Sequence, residues 1–254
     1  NDGNGFIDDV NGWNFIDNNN QLYTGKEDNH GTHAAGTIAA SRNNGGSVGI
    51  TDNQYVKIMS IKALGGEEGK GSPESVIAAI RYAEANGAQI CNLSFGSENC
   101  TEEFRAAIQG SKMLFVVAAG NGNEDEIGYN IDQNPVYPAS LPYDNIITVA
   151  NLIFNGKLDR SSNFGPVSVD IAAPGTFILS TIPDKSYAFM SGTSMAAPMV
   201  AGAAAMLYSA RPELSLQDVR NILITSAHKL DTLNGRVYSG GMLDVYSALQ
   251  WARQ

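Results

Sequence analysis

Met113-Leu114-Phe115-Val116-Val117-Ala118-Ala119 is an unbroken apolar run that stops at Gly120-Asn121-Gly122. It reads as a strand buried on both faces, an environment supplied by a sheet with helices on both sides. Val56 to Ala63, Gln89 to Ser94 and Asn145 to Val149 read as further strands, with others near Val167 to Ile171 and Phe177 to Ser180. Helical stretches lie between them: a small-residue helix over 30–41, Ser72 to Asn86 with Val76, Ile77, Ile80, Tyr82 and Ala83 at helical spacing, and Thr101 to Gly110 with glycine at its end. Ser194 to Ala210 follows as a long helix, and Ser215 to Ser226 opens on a Ser215-Leu216-Gln217-Asp218 capping pattern. Residues 1–29, rich in Asn, Asp and Gly, read as loop. Strands alternating with helices predict right-handed βαβ units, hence an α/β fold with a mostly parallel sheet and sites at the carboxyl ends of its strands. No repeat or linker divides the 254 residues, so one domain is expected.

Composition narrows the function classes. Hydrophobic residues make up 43% and charged residues 17%, which is globular and not disordered. A formal net charge of −10 argues against a nucleic-acid or anionic-membrane partner and suits hard cations held by carboxylates. No apolar run is long enough to span a bilayer. Cys91 lies in the buried-strand pattern Gln89 to Ser94 and reads as a buried free thiol, not as half of a disulfide with Cys100. Neither cysteine has the small-residue helix entry expected around a catalytic thiol. The opening Asn1-Asp2-Gly3-Asn4 has no Met and no apolar lead-in, and reads as a processed or truncated product.

The chemistry sits in two short runs. His30-Gly31-Thr32-His33-Ala34-Ala35-Gly36 and Gly192-Thr193-Ser194-Met195-Ala196-Ala197-Pro198 each place a reactive side chain among small residues where a helix starts. A serine hydroxyl is a weak nucleophile until a base takes its proton, and His before Ser fits the chain order Asp…His…Ser. The helix after Ser194 offers free backbone N–H groups and a dipole to a developing oxyanion. Pro198 is expected in its first turn, where a missing N–H costs least. Taken alone, Ser194 would be an N-cap; the His run turns the reading toward catalysis. His30 leads its helix, whereas His33, one turn on, is expected to pack in the core, and His228 carries no motif. The His-x-x-His pair lacks a Glu or third ligand at zinc-protease spacing. Asn121 ends the buried strand between two glycines, where its amide could donate to an oxyanion or simply make a turn.

This constellation resembles the subtilisin-like serine proteases, over nearly the whole chain from Gly5 to Leu249. His30-Gly31-Thr32-His33, Gly192-Thr193-Ser194-Met195-Ala196 and Ala118-Ala119-Gly120-Asn121 look like the family's base, nucleophile and oxyanion motifs. Asn92-Leu93-Ser94-Phe95-Gly96, Tyr137-Pro138-Ala139 and Ala172-Ala173-Pro174-Gly175 are further signposts, and the opening Asp2 to Phe15 is similar to the thermitase-like and parasite branches. The resemblance implies a three-layer α/β sandwich with a mostly parallel central sheet. It also implies an endopeptidase with His30 as general base, Ser194 as nucleophile and Asn121 as oxyanion donor. One departure stands out: the family's Asp-Thr-Gly or Asp-Ser-Gly is absent. In the family's pattern that segment precedes the Asp2-Gly3-Asn4-Gly5 loop, so the triad Asp is expected upstream of Asn1, and none of Asp2, Asp8, Asp9, Asp17 or Asp28 is assigned to it.

By the same resemblance, Gly69-Lys70-Gly71 and Ser94-Phe95-Gly96 would wall an extended peptide substrate, with Ala119 and Gly120 beneath Phe95 in a pocket of apolar character. Calcium is the implied cofactor, held in a first site by Ser41, Asn43, Gly45 and Ser47 with Asp17 as carboxylate. A second site would use Asp2, Asn4, Asp8 and Asp9, spaced like part of an EF-hand loop. Peptide or protein substrates, a propeptide or N-terminal fragment, and secretion complete the expectation. The same residues admit two other outcomes: a non-catalytic peptide-binding or signalling protein on this fold, or a peptide ligase or macrocyclase.

Overall fold

The computed structural model describes residues 3–51, 53–65, 69–123 and 125–253. In chain order its first half contains β1 (Gly12–Asn14), α1 (Asn29–Ala39), β2 (Ser60–Lys62), α2 (Pro73–Ala85), β3 (Ile90–Leu93), α3 (Glu102–Gln109) and β4 (Leu114–Ala118). The second half contains β5 (Ile146–Leu152), β6 (Ile171–Pro174), β7 (Ile178–Ile182), β8 (Ser186–Met190), α4 (Thr193–Ala210), α5 (Leu216–Thr225), β9 (His228–Lys229), β10 (Gly241–Met242) and α6 (Val245–Trp251). The main sheet runs β3-β4-β5-β6-β10-β9, parallel throughout except for the β10–β9 edge. β1 and β2 pair in parallel as a separate sheet, and β7 and β8 form an antiparallel hairpin.

β4 shows why the layers form. All five of its residues are buried. Leu114, Val116 and Ala118 pack with Val200 and Leu207 of α4, Leu223 of α5 and Ala248 of α6. Phe115 and Val117 face the other way, toward Val76 and Ile80 of α2 and Ile108 of α3. The period-two alternation of the strand thus divides one apolar run between two helical layers. Helix starts follow local chemistry. Ser72 Oγ accepts from Ser75 N ahead of α2, with Pro73 at its first position. Ser215 and Asp218 form the expected capping box on α5.

The structure shortens several expected strands. Val56 to Ala63 is strand only over β2, because β1 is short and Ile58 stays exposed. Val167 is exposed and belongs to the turn before β6, where Asp132 accepts from Val167 N and Ser168 N. Residues 1–29 contain β1 and a 3-10 turn at Lys26–Asp28 besides loop. Both cysteines are free, and burial pushes the Cys91 thiol up to about 12, which leaves it protonated and unreactive at neutral pH.

The two sheets end on facing edges. Among the described residues β2 and β3 each have a strand partner on one side only, and both line a cavity of about 1720 Å³ whose lining also includes Ala201 and Ala205 of α4 and Ile80 and Ala83 of α2. His30, at the start of α1, stands in its lining together with Ser94 and Phe95.

Candidate active site

Ser194 is the second residue of α4, after the N-cap Gly192. Its backbone N–H is one of the first-turn donors that no helical carbonyl can reach. Pro198 is not in the first turn as the sequence led us to expect, but lies inside the helix. Its missing N–H deprives the Ser194 carbonyl of an i→i−4 partner. Ser94 Oγ takes that place, donating to Ser194 O at 3.0 Å, while Ser194 Oγ donates back to Ser94 O at 3.1 Å. The nucleophile candidate is therefore tied at both its carbonyl and its hydroxyl to the end of β3.

Asn121 follows β4 and is exposed. Thr193 fixes its amide: Thr193 N and Thr193 Oγ1 donate to Asn121 Oδ1 at 2.8 and 2.9 Å, and Gly120 N donates to Thr193 Oγ1 at 3.2 Å. With Oδ1 taken twice, the amide presents Nδ2 as its remaining hydrogen-bonding group. Gly192 makes the approach possible. It sits at φ +146°, and a Cβ there would meet the Asn121 amide at 3.2 Å.

His30 stands near the head of α1, at the mouth of the cavity. The protein around it, together with the charge of neighbouring His33, lowers its pKa below the ordinary imidazole value. No carboxylate is hydrogen-bonded to His30 among the described residues. Asp28, two residues away, is committed elsewhere: it accepts from Thr24 N at 2.7 Å, Gly25 N at 3.3 Å and Lys62 Nζ at 2.6 Å. Burial opposes the Asp28 charge, but these bonds outweigh it and hold its pKa down. His33 is fully buried as expected, with Nε2 2.9 Å from Ile178 O and 3.2 Å from Ala188 O. Facing two carbonyls, that nitrogen must carry the proton, and the hairpin β7–β8 thereby anchors α1.

Residues 1–241 match the subtilase family, peptidase S8. The chain belongs to the subtilase family. It is a subtilisin-like serine endopeptidase domain. Subtilisin DY of Bacillus licheniformis is 35% identical over 234 residues, covering 91% of this chain and 81% of that protein. Subtilisin-like protease 1 of Plasmodium berghei (strain Anka) is 34% identical over 265 residues, covering 98% of this chain and 43% of that longer protein. The crystal structure of a cold-adapted subtilisin-like serine proteinase superposes with a TM-score of 0.75 at 29% identity, over 92% of this chain and 81% of that one.

The segments expected to wall a substrate take a definite form here. Gly65 and Lys70 pair their backbones at 2.9 and 3.0 Å, with Gly69 in the turn between them at φ +59°. Gly71 and Gly96 are required by the protein's own packing: a Cβ would meet Ala63 O at 2.3 Å or Val136 Cγ1 at 2.7 Å. Phe95 is half-buried against the core and also lines the cavity. Ala119 is buried, and Gly120 turns at φ +93° directly before Asn121.

The two segments expected to bind calcium fit that expectation in part. In the loop 41–47, Asn43 and Gly45 adopt positive φ, and the buried Ser47 Oγ has no hydrogen-bond partner, which suits an oxygen-ligated cation. Ser41 Oγ accepts from Asn53 Nδ2 at 2.7 Å, whereas Asp17 is turned to Asn14, whose Nδ2 donates to it at 2.9 Å. In the second site Asn4 Nδ2 donates to Asp9 at 2.9 Å and Tyr82 OH donates to the same carboxylate oxygen at 2.6 Å, with Asp8 exposed nearby at φ +56°. Asp2 lies outside the described residues. No group of three His, Cys, Asp or Glu side chains able to hold a metal occurs among the described residues. Thr193, the Ser94 pairing and the cavity were not read from the sequence; the small-residue run flags the position of Thr193 but not its role.

Proposed function

We propose that this domain cleaves peptide bonds through an acyl-enzyme. Ser194 Oγ attacks the scissile carbonyl, His30 takes its proton and later returns it to the leaving amine, and Asn121 Nδ2 with the Ser194 N–H holds the oxyanion. The triad Asp comes from a segment upstream of Asn1, entering the cavity between β2 and β3 to orient His30. The observation that carries the reading is the Thr193 clamp, which spends Asn121 Oδ1 and leaves the donor end of the amide beside the first turn of α4. Calcium on the 41–47 loop, a propeptide or N-terminal fragment as partner, and an extracellular location belong to the same proposal. They rest on the family resemblance and the unpartnered Ser47 hydroxyl.

A fluorophosphonate probe followed by peptide mapping tests it, on protein that carries the upstream segment. An adduct on Ser194 is expected, absent in Ser194→Ala, with labelling slowed about 10⁴-fold or more in His30→Ala. A test peptide should gain one water per cut. No adduct would leave a binding protein on this fold, and joined products in place of hydrolysed ones would make it a ligase.

A further inference from the structure

Four hydrogen bonds around the oxyanion side of the site converge on one residue that no catalytic motif contains. Asn163 is 1% exposed and lies in the chain between β5 and β6. Its backbone N–H donates to Gly120 O at 2.9 Å, and its Nδ2 donates to Ala119 O at 3.0 Å. Its Oδ1 accepts from Gly122 N at 3.0 Å and from Tyr129 N at 3.1 Å. Asn121 is therefore flanked on both sides by backbone groups held by a single buried residue, Gly120 through its main chain and Ala119 and Gly122 through its side-chain amide. Gly120 makes room for it: at φ +93°, a Cβ there would meet Asn163 Nδ2 at 2.6 Å. The Tyr129 bond ties in the far end of the loop that leaves the site.

We propose that Asn163 is a positioning residue that sets the place of Asn121 for oxyanion stabilisation by pinning the backbone at 119, 120 and 122 and closing the loop to Tyr129. The chemistry is specific to an amide. Only Asn carries, at this length, one donor for Ala119 O and an acceptor oxygen with two lone pairs for two N–H groups. Ala would leave two part-buried N–H groups and the buried Ala119 carbonyl without this partner, and Asp would keep both acceptor bonds but turn an oxygen on Ala119 O. A donor aimed at a developing charge loses effect when displaced by a fraction of an ångström, so loosening this frame acts on kcat.

The proposal rests on the protease reading above, and its test separates the two. Asn163→Ala and Asn163→Asp are measured alone and combined with Asn121→Ala, in the full-length protein, on a fluorogenic peptide. Asn163→Ala should lower kcat about 10- to 100-fold, short of the loss of the donor itself, with KM little changed. Asn163→Asp should fall between wild type and Asn163→Ala. In the Asn121→Ala background the further loss should shrink to about threefold or less, because both residues act through one group. Backbone amide exchange gives the second readout: Gly122 and Tyr129 should exchange at least about tenfold faster in Asn163→Ala while β4 stays protected. Equal losses in both backgrounds, or unchanged exchange at Gly122 and Tyr129, would overturn the positioning role. A wild-type protein without turnover would sink the protease reading, with the exchange data still deciding the clamp. If Asn163→Ala does not fold, Asn163→Asp carries the kinetic comparison, and an equal loss with and without Asn121→Ala would overturn the positioning role.

Discussion

At the scale of single residues, the site is governed by hydrogen bonds that a helix cannot make for itself. Pro198 removes the bond that would close on Ser194 O, and Ser94 Oγ supplies a substitute from a different strand. Ser194 is thereby tied to the end of β3, where the proposed substrate wall begins. Pro198→Ala restores the helical donor and should draw the Ser194 carbonyl away from Ser94. We expect a more stable helix, since proline inside a helix costs up to about 3 kcal/mol. We also expect Ser194 to react about tenfold more slowly with a fluorophosphonate, since small misplacements of a reacting atom are costly. Melting and labelling rates on the same sample check this. A gain in stability with no change in labelling would show that Ser94 does not position the nucleophile. The sequence marked Pro198 as tolerated but misplaced its reason, because helix register depends on where α4 begins, and Gly192, not Ser194, is its N-cap.

At the scale of elements, α5 is fastened to the sheet by an ion pair whose carboxylate is buried. Arg220 Nη2 donates to Asp170 Oδ1 at 2.6 Å and Arg220 Nε to Ile146 O at 2.8 Å, while Asp170 Oδ2 accepts from Thr148 N at 2.8 Å. Burial pushes the Asp170 carboxyl up to about 6, against the pull of Arg220. Arg220→Ala leaves a buried carboxylate with one neutral donor and should cost about 3–5 kcal/mol near pH 8. Without Arg220 the folded-state pKa rises further above its unfolded value. Such a group adds stability below its unfolded pKa and loses it as pH rises through the folded one. The cost of the substitution should therefore be smaller at pH 5 than at pH 8, read from urea midpoints at both. Equal costs would mean that the carboxyl does not sense the guanidinium. The capping boxes and apolar spacing of α2 and α5 were legible in the sequence because they are local. Strand lengths were not, since a strand ends where its partner does.

At the scale of the whole molecule, the loop 41–47 lies against the hairpin β7–β8. Gly46 lacks a Cβ where one would meet Tyr187 Oη at 2.0 Å. The same hairpin anchors His33, and through it the helix that carries His30. A cation on this loop would brace loop, hairpin and α1 together. Calcium at a hundredfold over its Kd stabilises by about 2.7 kcal/mol. In a domain of this size that is roughly 5–10 °C in Tm. Chelation should lower the Tm by that order, and Ser47→Ala should reduce the shift if the 41–47 loop is the site. An unchanged Tm on chelation would remove both proposed calcium sites.

The sequence by itself determined the fold class and singled out the candidate reactive groups. Apolar periodicity, caps and the small residues around His30, Asn121 and Ser194 are short-range features, and the energies that select them act within a turn or a strand. Only the tertiary structure decided that Ser94 partners Ser194, that Thr193 orients Asn121, that Asn163 holds the backbone on both sides of Asn121, and that β2 and β3 face each other across an open cavity. These are contacts between residues distant in the chain, made where buried polar groups must find a partner and the partner comes from whichever element packing brings close.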